Sequence, residues 1–224
     1  MRMRKNLIYV LYWSVINIMA ETQGLVLVIF VEGQTDKEFY KKMVENLKSK
    51  YPDKKSIPVI YKNLQGVTNY NKAASIFQND ILKKGNISED DKFLIICSYD
   101  YDVFKNPYQL KPPVEWKKVK DDLKKQKNVI NIYEIKAHDS IEDWFLKDIA
   151  GLCTYLKAKK IPKLRELQGN TGEKKIKYLF LKNARVYQKG HNVHKFIDNL
   201  NFELLYTELQ EELKTLVNCL FTEK

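Results

Sequence analysis

The chain has 224 residues, of which 44% are hydrophobic and 30% are charged, and this composition excludes a disordered protein. The formal net charge of +11 indicates a polyanionic partner, either nucleic acid or an anionic membrane. The cysteines, Cys97, Cys153 and Cys219, lie far apart and form no CxxC or Cys/His cluster. We therefore expect a reducing, cytoplasmic location and no structural zinc.

The first 20 residues need a separate interpretation, because a basic start is followed by about fourteen mostly apolar residues. The apolar stretch is short for a membrane span, and no small-residue cleavage site follows it cleanly. Three interpretations stay open: a membrane anchor or peripheral helix, a cleaved signal, or a mis-assigned start with translation beginning at Met19.

From residue 24 onward, predicted strands alternate with predicted helices. Leu25–Val31 is a run of seven apolar residues, which is typical of a strand buried on both faces. Thr35 and Glu38 fit a capping box at the start of the next helix. The predicted strands are 25–31, 56–63, 92–102 and 128–135, and the predicted helices are 35–50, 69–85, 113–127, 140–158, 171–183, 191–200 and 202–220.

This alternation predicts an α/β fold with a mainly parallel, four-stranded, Rossmann-like sheet and helices on both faces. We place this domain at residues 24–150 and a basic helical extension at residues 151–224. The last predicted helix is amphipathic, and it either packs on the domain or makes a homodimer contact.

Acidic residues follow two of the predicted strands. Glu32 comes directly after the first strand, and Asp100 and Asp102 end the third. In parallel sheets, catalytic and binding residues lie at the carboxyl ends of the strands. Alternate side chains of an extended backbone point to the same side. If the first and third strands are neighbours, the three carboxylates converge and need a cation between them. Hard oxygen ligands of this kind suit Mg²⁺ or Mn²⁺.

The motif VEG-x-TD-x-x-FY after an apolar strand, with D-x-D after a later strand, resembles the TOPRIM domain. Topoisomerases, bacterial primases, small RNA-processing nucleases and the overcoming-lysogenization-defect nucleases share that domain. The resemblance covers roughly residues 24–150 and matches Glu32 and Gly33 to the first motif and Asp100 and Asp102 to the second. It implies that these acids bind Mg²⁺ for phosphoryl transfer on nucleic acid.

The resemblance also implies a further acid after the next strand, which would complete a second metal site. The stretch AHDSIEDWF offers Asp139, Glu142 and Asp143, of which we choose Glu142 as the extra ligand. Ser140 with Asp143 also fits an ordinary helix-capping pair. Some nuclease relatives use a lysine to stabilise charge, and Lys136 and Lys189 are the candidates for this role.

Residues 157–195 contain twelve of the basic residues and only two acids. Such a segment beside a metal site can hold a phosphate backbone by releasing counterions. Interleaved aromatic residues either stack on bases or belong to the core. The residues that we expect to bind nucleic acid are Lys174, Lys175, Lys177, Lys182, Arg185 and Lys189.

Taken together, the sequence predicts a Mg²⁺-dependent nuclease that hydrolyses the phosphodiesters of RNA or DNA. The resemblance implies a stand-alone enzyme of phage defence or RNA processing, with a partner ATPase in some relatives. The alternative is a non-catalytic nucleic-acid-binding module that keeps the same fold. A membrane partner is expected only if residues 1–20 form a true anchor.

Overall fold

The computed structural model describes residues 24–85, 87–105, 112–138, 140–191 and 193–221. The apolar segment 1–20 and its three interpretations lie outside these residues, as does Asp139. Within the described part of the chain, every helix is too short or too polar to traverse a lipid bilayer.

Four parallel strands form one sheet, as the sequence predicts, and their order is β2-β1-β3-β4. In the pairing of β1 with β3, the last residue of β1, Val31, lies opposite Ser98, and β3 continues to Asp100. Because the strands all run one way, their carboxyl ends meet at one edge of the sheet. The strands are β1 Leu25–Val31, β2 Val59–Asn63, β3 Lys92–Asp100 and β4 Val129–Ala137.

Helices cover both faces of the sheet, and most of them are short. Tight 3₁₀ turns connect several of them at Val67–Lys72, Asp102–Phe104, Leu146–Asp148 and Leu164–Glu166. The helices are α1 Gln34–Lys50, α2 Ala73–Ile76, α3 Trp116–Lys124, α4 Ile141–Phe145, α5 Ile149–Leu156, α6 Gly172–Lys182, α7 Val193–Ile197, α8 Phe202–Glu208 and α9 Gln210–Leu220.

The side chains of β1 alternate between two hydrophobic cores, because successive residues of a strand point to opposite faces. Val28 and Phe30 face the core formed with the 67–82 segment and α3. Leu27 and Ile29 face the larger core, which contains α1 and the helices after β4. The helices beyond residue 150 therefore share one continuous core with the sheet.

The last helix packs on its own chain. Leu213, Leu216 and Leu220 are fully buried in the larger core, and α9 contacts β4. Of the two alternatives for this helix, packing on the domain is the one observed. A homodimer contact through α9 would have to use its exposed side.

Three local predictions were wrong. The second helix is not regular, because a 3₁₀ turn, the short α2 and a π-helical stretch at Phe77–Leu82 replace it. The last helix is interrupted at Leu209, between α8 and α9. The capping box of Thr35 and Glu38 is absent, because α1 begins one residue earlier with Gly33 at its cap.

Candidate functional site

The end of β1 and the end of β3 bring Glu32 and Asp100 together. β1 and β3 are paired neighbours, so the residue after one strand lies beside the last residue of the other. The backbone N–H of Asp100 points at Glu32 Oε2 across 3.4 Å. The sequence prediction that these two acids meet at one edge of the sheet agrees with this contact.

Two buried tyrosines fix the strand ends beneath these acids. The Tyr70 hydroxyl lies 3.0 Å from the carbonyl oxygen of Phe30 on β1 and 2.5 Å from that of Ser98 on β3. The hydroxyl of Ser98 donates in turn to the Tyr40 hydroxyl on α1 at 2.8 Å. These contacts hold β1, β3 and α1 in a fixed relation, which limits the movement of the acids above them.

Asp36 is an acid of this site that the sequence prediction missed. It lies in the first turn of α1 and is 2% exposed, and its Oδ2 has no hydrogen-bond partner among the described residues. The signal was present in the sequence. Asp36 precedes Phe39, Tyr40 and Met43 by three, four and seven positions, so it lies on the buried stripe of the helix.

Glu142 is brought to the same site by α4, directly after β4. Its side chain is fully buried, and Oε1 accepts a hydrogen bond from the Tyr187 hydroxyl at 2.8 Å. Its other oxygen, Oε2, has no hydrogen-bond partner among the described residues. The N–H of Ile141 donates to Asp100 Oδ1 at 2.9 Å, so the start of α4 also orients that carboxylate.

Lys189 inserts its ammonium group among these acids. Its Nζ lies 2.7 Å from Asp100 Oδ2 and 3.6 Å from Glu142 Oε2. The next residue secures the loop, because the N–H of Gly190 donates to Thr35 Oγ1 at 2.9 Å. Thr35 is fully buried and does not cap the helix. Its side chain instead anchors the loop that carries Lys189 and Gly190, which we call the lysine loop, to α1.

The carboxyl groups of the site are hard to ionise. Burial, reinforced by the charge of Asp100, raises the pKa of Glu32 to about 7. Burial also raises the pKa of Asp36 well above its usual value, again with a contribution from Asp100. The pKa values of Asp100 and Glu142 are raised by burial, and the nearby Lys189 offsets part of that increase.

Lys189 shows the opposite response to the same neighbours. Burial alone would lower the pKa of its ammonium group, but the charges of Asp100, Glu142 and Asp36 outweigh burial and raise it. About a third of the side chain stays exposed, so the ion pair is partly screened by solvent. The lysine therefore remains charged and acts as the counterion of the acids.

The acids suit a divalent cation in chemistry but not in their present arrangement. Carboxylate oxygens are the ligands that Mg²⁺ and Mn²⁺ prefer, and two buried oxygens, Asp36 Oδ2 and Glu142 Oε2, accept no hydrogen bond from the described residues. Yet no group of three acids, histidines or cysteines in the described part of the chain is arranged to hold a metal ion. The ammonium of Lys189 supplies the positive charge instead.

Asp102 does not point with Asp100 as the alternating pattern predicts. β3 ends at Asp100, Tyr101 has helical backbone angles, and Asp102 begins a 3₁₀ turn. Asp102 is exposed at the edge of the site, and its charge still contributes to the raised pKa values of Glu32 and Asp100. The prediction of a directly facing pair was therefore wrong.

Asp143 has the structural role that its spacing from Ser140 allows. Its Oδ2 accepts from the N–H of Ser140 at 3.2 Å and from the Ser140 hydroxyl at 3.0 Å. The pair caps α4, and the first residue of α6, Gly172, packs against Asp143 so closely that a Cβ there would lie 2.6 Å from it.

Lys136 belongs to a different face of the sheet from the acids. In the register of β3 and β4, Lys136 lies beside Tyr99, whereas Asp100 lies beside Ala137. The Lys136 ammonium lies 3.4 Å from Glu134 Oε2 and 6.0 Å from the centre of the Tyr99 ring. The alternation along β4 directs Lys136 away from the carboxylates, which does not fit the predicted catalytic role.

The predicted nucleic-acid-binding residues lie on α6 and the loop after it. Lys174 donates to Asn170 Oδ1 at 3.1 Å, and Lys177 pairs with Glu173 at 2.5 Å. Lys182 lies over the Tyr178 ring, and the Arg185 guanidinium lies over the Tyr155 ring at 4.5 Å. Lys175 is partly buried, and Lys189 is engaged by the acids.

The aromatic residues of this segment belong mainly to the core. Phe180, Tyr187 and Phe196 are at most 4% exposed and contact one another edge to face. Tyr178 is only partly buried. Of the two alternatives for these rings, core packing is the one observed for all but Tyr178.

Comparison of the chain with protein-family models, with curated proteins and with solved structures gives no match. The arguments about its function therefore rest on the geometry and chemistry of its own residues.

Proposed function

We propose that the chain is a Mg²⁺-dependent, TOPRIM-like nuclease that hydrolyses phosphodiesters of RNA or DNA in the cytoplasm. The observation that carries the proposal is the grouping of four acids at the carboxyl edge of the sheet: Glu32 lies beside Asp100, Lys189 links Asp100 with Glu142, and the charges of Asp100 and Glu32 act on the buried Asp36. Four buried or half-buried carboxyl groups lower the stability of the fold unless they bind a positively charged group.

Glu32, Asp36, Asp100 and Glu142 are the residues that would hold the divalent ion. When bound, such an ion neutralises charge on a phosphoryl group and makes water a better nucleophile. The chain's own groups do the positioning: Ile141 N–H orients Asp100, and the Tyr187 hydroxyl orients Glu142. Lys189 places a fixed positive charge where an anionic phosphate can meet it.

The decisive experiment is a cleavage screen with tRNA, rRNA, and single- and double-stranded DNA, in Mg²⁺, Mn²⁺ or EDTA. We expect cutting of at least one substrate with a divalent ion and none in EDTA. Glu32→Gln and Asp100→Asn should each lower the rate by about 100-fold or more, because each removes a metal ligand. Asp121→Asn, at an exposed site on α3, is the matched control.

A second function, a non-catalytic nucleic-acid-binding module, is favoured by one observation. Lys189 already forms ion pairs with Asp100 and Glu142, so part of the negative charge of the site is neutralised without a metal. A module of this kind would bind nucleic acid in a salt-dependent manner, would be indifferent to divalent ions and would leave every substrate in the screen uncut.

A further inference from the structure

A cavity of about 500 Å³ lies between the loop after α5 and the second half of α6. Four lysines line it, and we call it the lysine pocket; they are Lys157, Lys159, Lys160 and Lys182. The volume is in the range of pockets that take small molecules. Of the four, only Lys182 is among the residues that the sequence predicts to bind nucleic acid.

The lysine pocket carries an excess of positive charge among the described residues. None of its four lysines forms an ion pair with a described residue, whereas Lys62 and Lys189 are each held by an aspartate. The one acid in the lining, Glu166, is engaged by its own turn, because it accepts from the N–H of Lys163 at 3.2 Å. Like charges around one concave surface repel, and an anion placed among them removes that repulsion.

The floor of the pocket is apolar. Leu156, Leu167 and Leu179 line it and are at most 5% exposed. Tyr178 forms part of the wall, and the Lys182 ammonium lies 5.3 Å from the centre of its ring. A lysine rim over an apolar and aromatic floor matches a nucleotide unit, in which a phosphate is joined to a flat, weakly polar ring.

Helix α6 connects this pocket to the candidate active site. Lys182 ends α6 at the pocket, and Gly172 begins it against Asp143, the neighbour of Glu142. The 11 residues of α6 span roughly 16 Å. At about 3.4 Å per stacked nucleotide, the length of α6 corresponds to about five nucleotides of a single strand, and the acid cluster lies beyond its first residue.

We propose that the lysine pocket binds a phosphate of a nucleic-acid strand at least about five nucleotides from the position that lies in the acid cluster. This inference rests on the proposed function, since it assigns the pocket to the same substrate. A strand is favoured over a free nucleotide because basic residues continue from the pocket along α6, at Lys174, Lys175 and Lys177, beyond the reach of a single phosphate group.

The test measures binding in EDTA, so that it does not depend on cleavage. Fluorescence anisotropy with labelled single-stranded oligonucleotides compares the wild type, the pocket variant Lys159→Gln/Lys160→Gln/Lys182→Gln and a control variant of equal charge. The control is Lys48→Gln/Lys72→Gln/Lys124→Gln, at three exposed lysines that form no ion pair with a described residue. Unchanged thermal unfolding of both variants verifies the fold.

We expect the pocket variant to reduce the magnitude of the slope of log K against log salt by about 0.7, because the pocket holds one phosphate and each lost contact to single-stranded phosphate removes about 0.7. The control should change the slope much less. Shortening the oligonucleotide below about five nucleotides should remove the difference between the pocket variant and the wild type.

Two outcomes would overturn the inference. One is equal slopes for the pocket and control variants. The other is loss of ATP or inorganic phosphate binding in the pocket variant while strand binding matches the control, which would make the pocket a small-anion site. A failure of the proposed nuclease function would appear in the cleavage screen, as uncut substrates in Mg²⁺ and Mn²⁺. The binding measurement in EDTA would still test the pocket.

Discussion

The ammonium of Lys189 lies 2.7 Å from Asp100 Oδ2, although 89 positions separate the two residues along the chain. Asp100 ends a central strand, and Lys189 comes from a loop among the C-terminal helices. The same lysine lies 3.6 Å from Glu142. One cation from a loop between the C-terminal helices thus pairs with an acid of the sheet, Asp100, and with an acid of α4, Glu142.

Removing this cation should destabilise the protein in a way that a metal ion can repair. In metal-free buffer, we expect Lys189→Met to lower the free energy of unfolding by about 1–3 kcal/mol, since breaking a buried pair costs about 3–5 kcal/mol and this lysine is partly exposed. Added Mn²⁺ should raise the melting temperature of the variant more than that of the wild type.

Lys195→Met is the control for this change, because Lys195 is exposed on the neighbouring α7 and forms no ion pair with a described residue. Equal melting temperatures for Lys189→Met and Lys195→Met, with equal responses to Mn²⁺, would contradict the role of Lys189 as counterion.

Because the pKa of Glu32 is raised, we expect Glu32→Gln to increase the free energy of unfolding in a pH-dependent way. A carboxyl group with a pKa of about 7 in the fold and 4.5 otherwise contributes its full stability below pH 4.5 and loses it as the pH rises through 7. Glutamine stays neutral and avoids that loss. In EDTA, urea unfolding should therefore show the variant to be more stable than the wild type by about 2 kcal/mol near pH 8.

The same comparison near pH 4 should show almost no difference, because both side chains are then neutral. A stability difference that stays constant over the whole pH range would mean that Glu32 ionises as readily in the fold as in the unfolded chain. Glu211→Gln, at an exposed acid on α9, controls for the loss of one negative charge.

Asp36 and Asp102 should differ in their importance for metal binding. Asp36 is buried with an unpartnered Oδ2, whereas Asp102 is exposed at the edge of the site. We expect Asp36→Asn to weaken Mn²⁺ binding by about tenfold or more in calorimetric titration. Asp102→Asn should weaken it by less than about fivefold, as exposed charges contribute little. The reverse order would exclude Asp36 as a ligand.

The hydroxyl of Thr35 should be needed to keep the lysine loop in place. Thr35→Val keeps the side-chain shape but removes the acceptor of the Gly190 N–H, at a cost of about 0.5–1.5 kcal/mol for the lost hydrogen bond. Hydrogen exchange at the Gly190 amide should become faster, and Thr35→Ser should retain slow exchange. An unchanged exchange rate in Thr35→Val would show that the loop is held by other contacts.

The sheet could be predicted from local patterns because its signals are local. The seven apolar residues Leu25–Val31 form β1 over the same span, and the strand-end rule brought Glu32 and Asp100 to one edge. The parallel order follows from the alternation of strands and helices, which needs no knowledge of distant contacts.

The parts that failed depend on contacts across the chain. Thr35 has the sequence spacing of a capping residue, but its hydroxyl accepts a hydrogen bond from the N–H of Gly190, 155 positions away. Lys189 was a candidate for a charge-stabilising lysine, but its ion pair with Asp100 was not predicted, because nothing local shows that it reaches that residue. Asp36 is the exception among the missed features, because its position on the apolar stripe of α1 can be recognised from the sequence alone.

The segment that enters β2 is secured by the last helix. The N–H of Ile57 donates to the carbonyl oxygen of Leu220 at 3.0 Å, and Ser56 and Phe221 form an antiparallel bridge. During synthesis all four strands leave the ribosome before α9 does. Until α9 is synthesised, one face of the sheet is incompletely covered. We expect the nascent chain to be most prone to self-association, and most dependent on chaperones, during this interval.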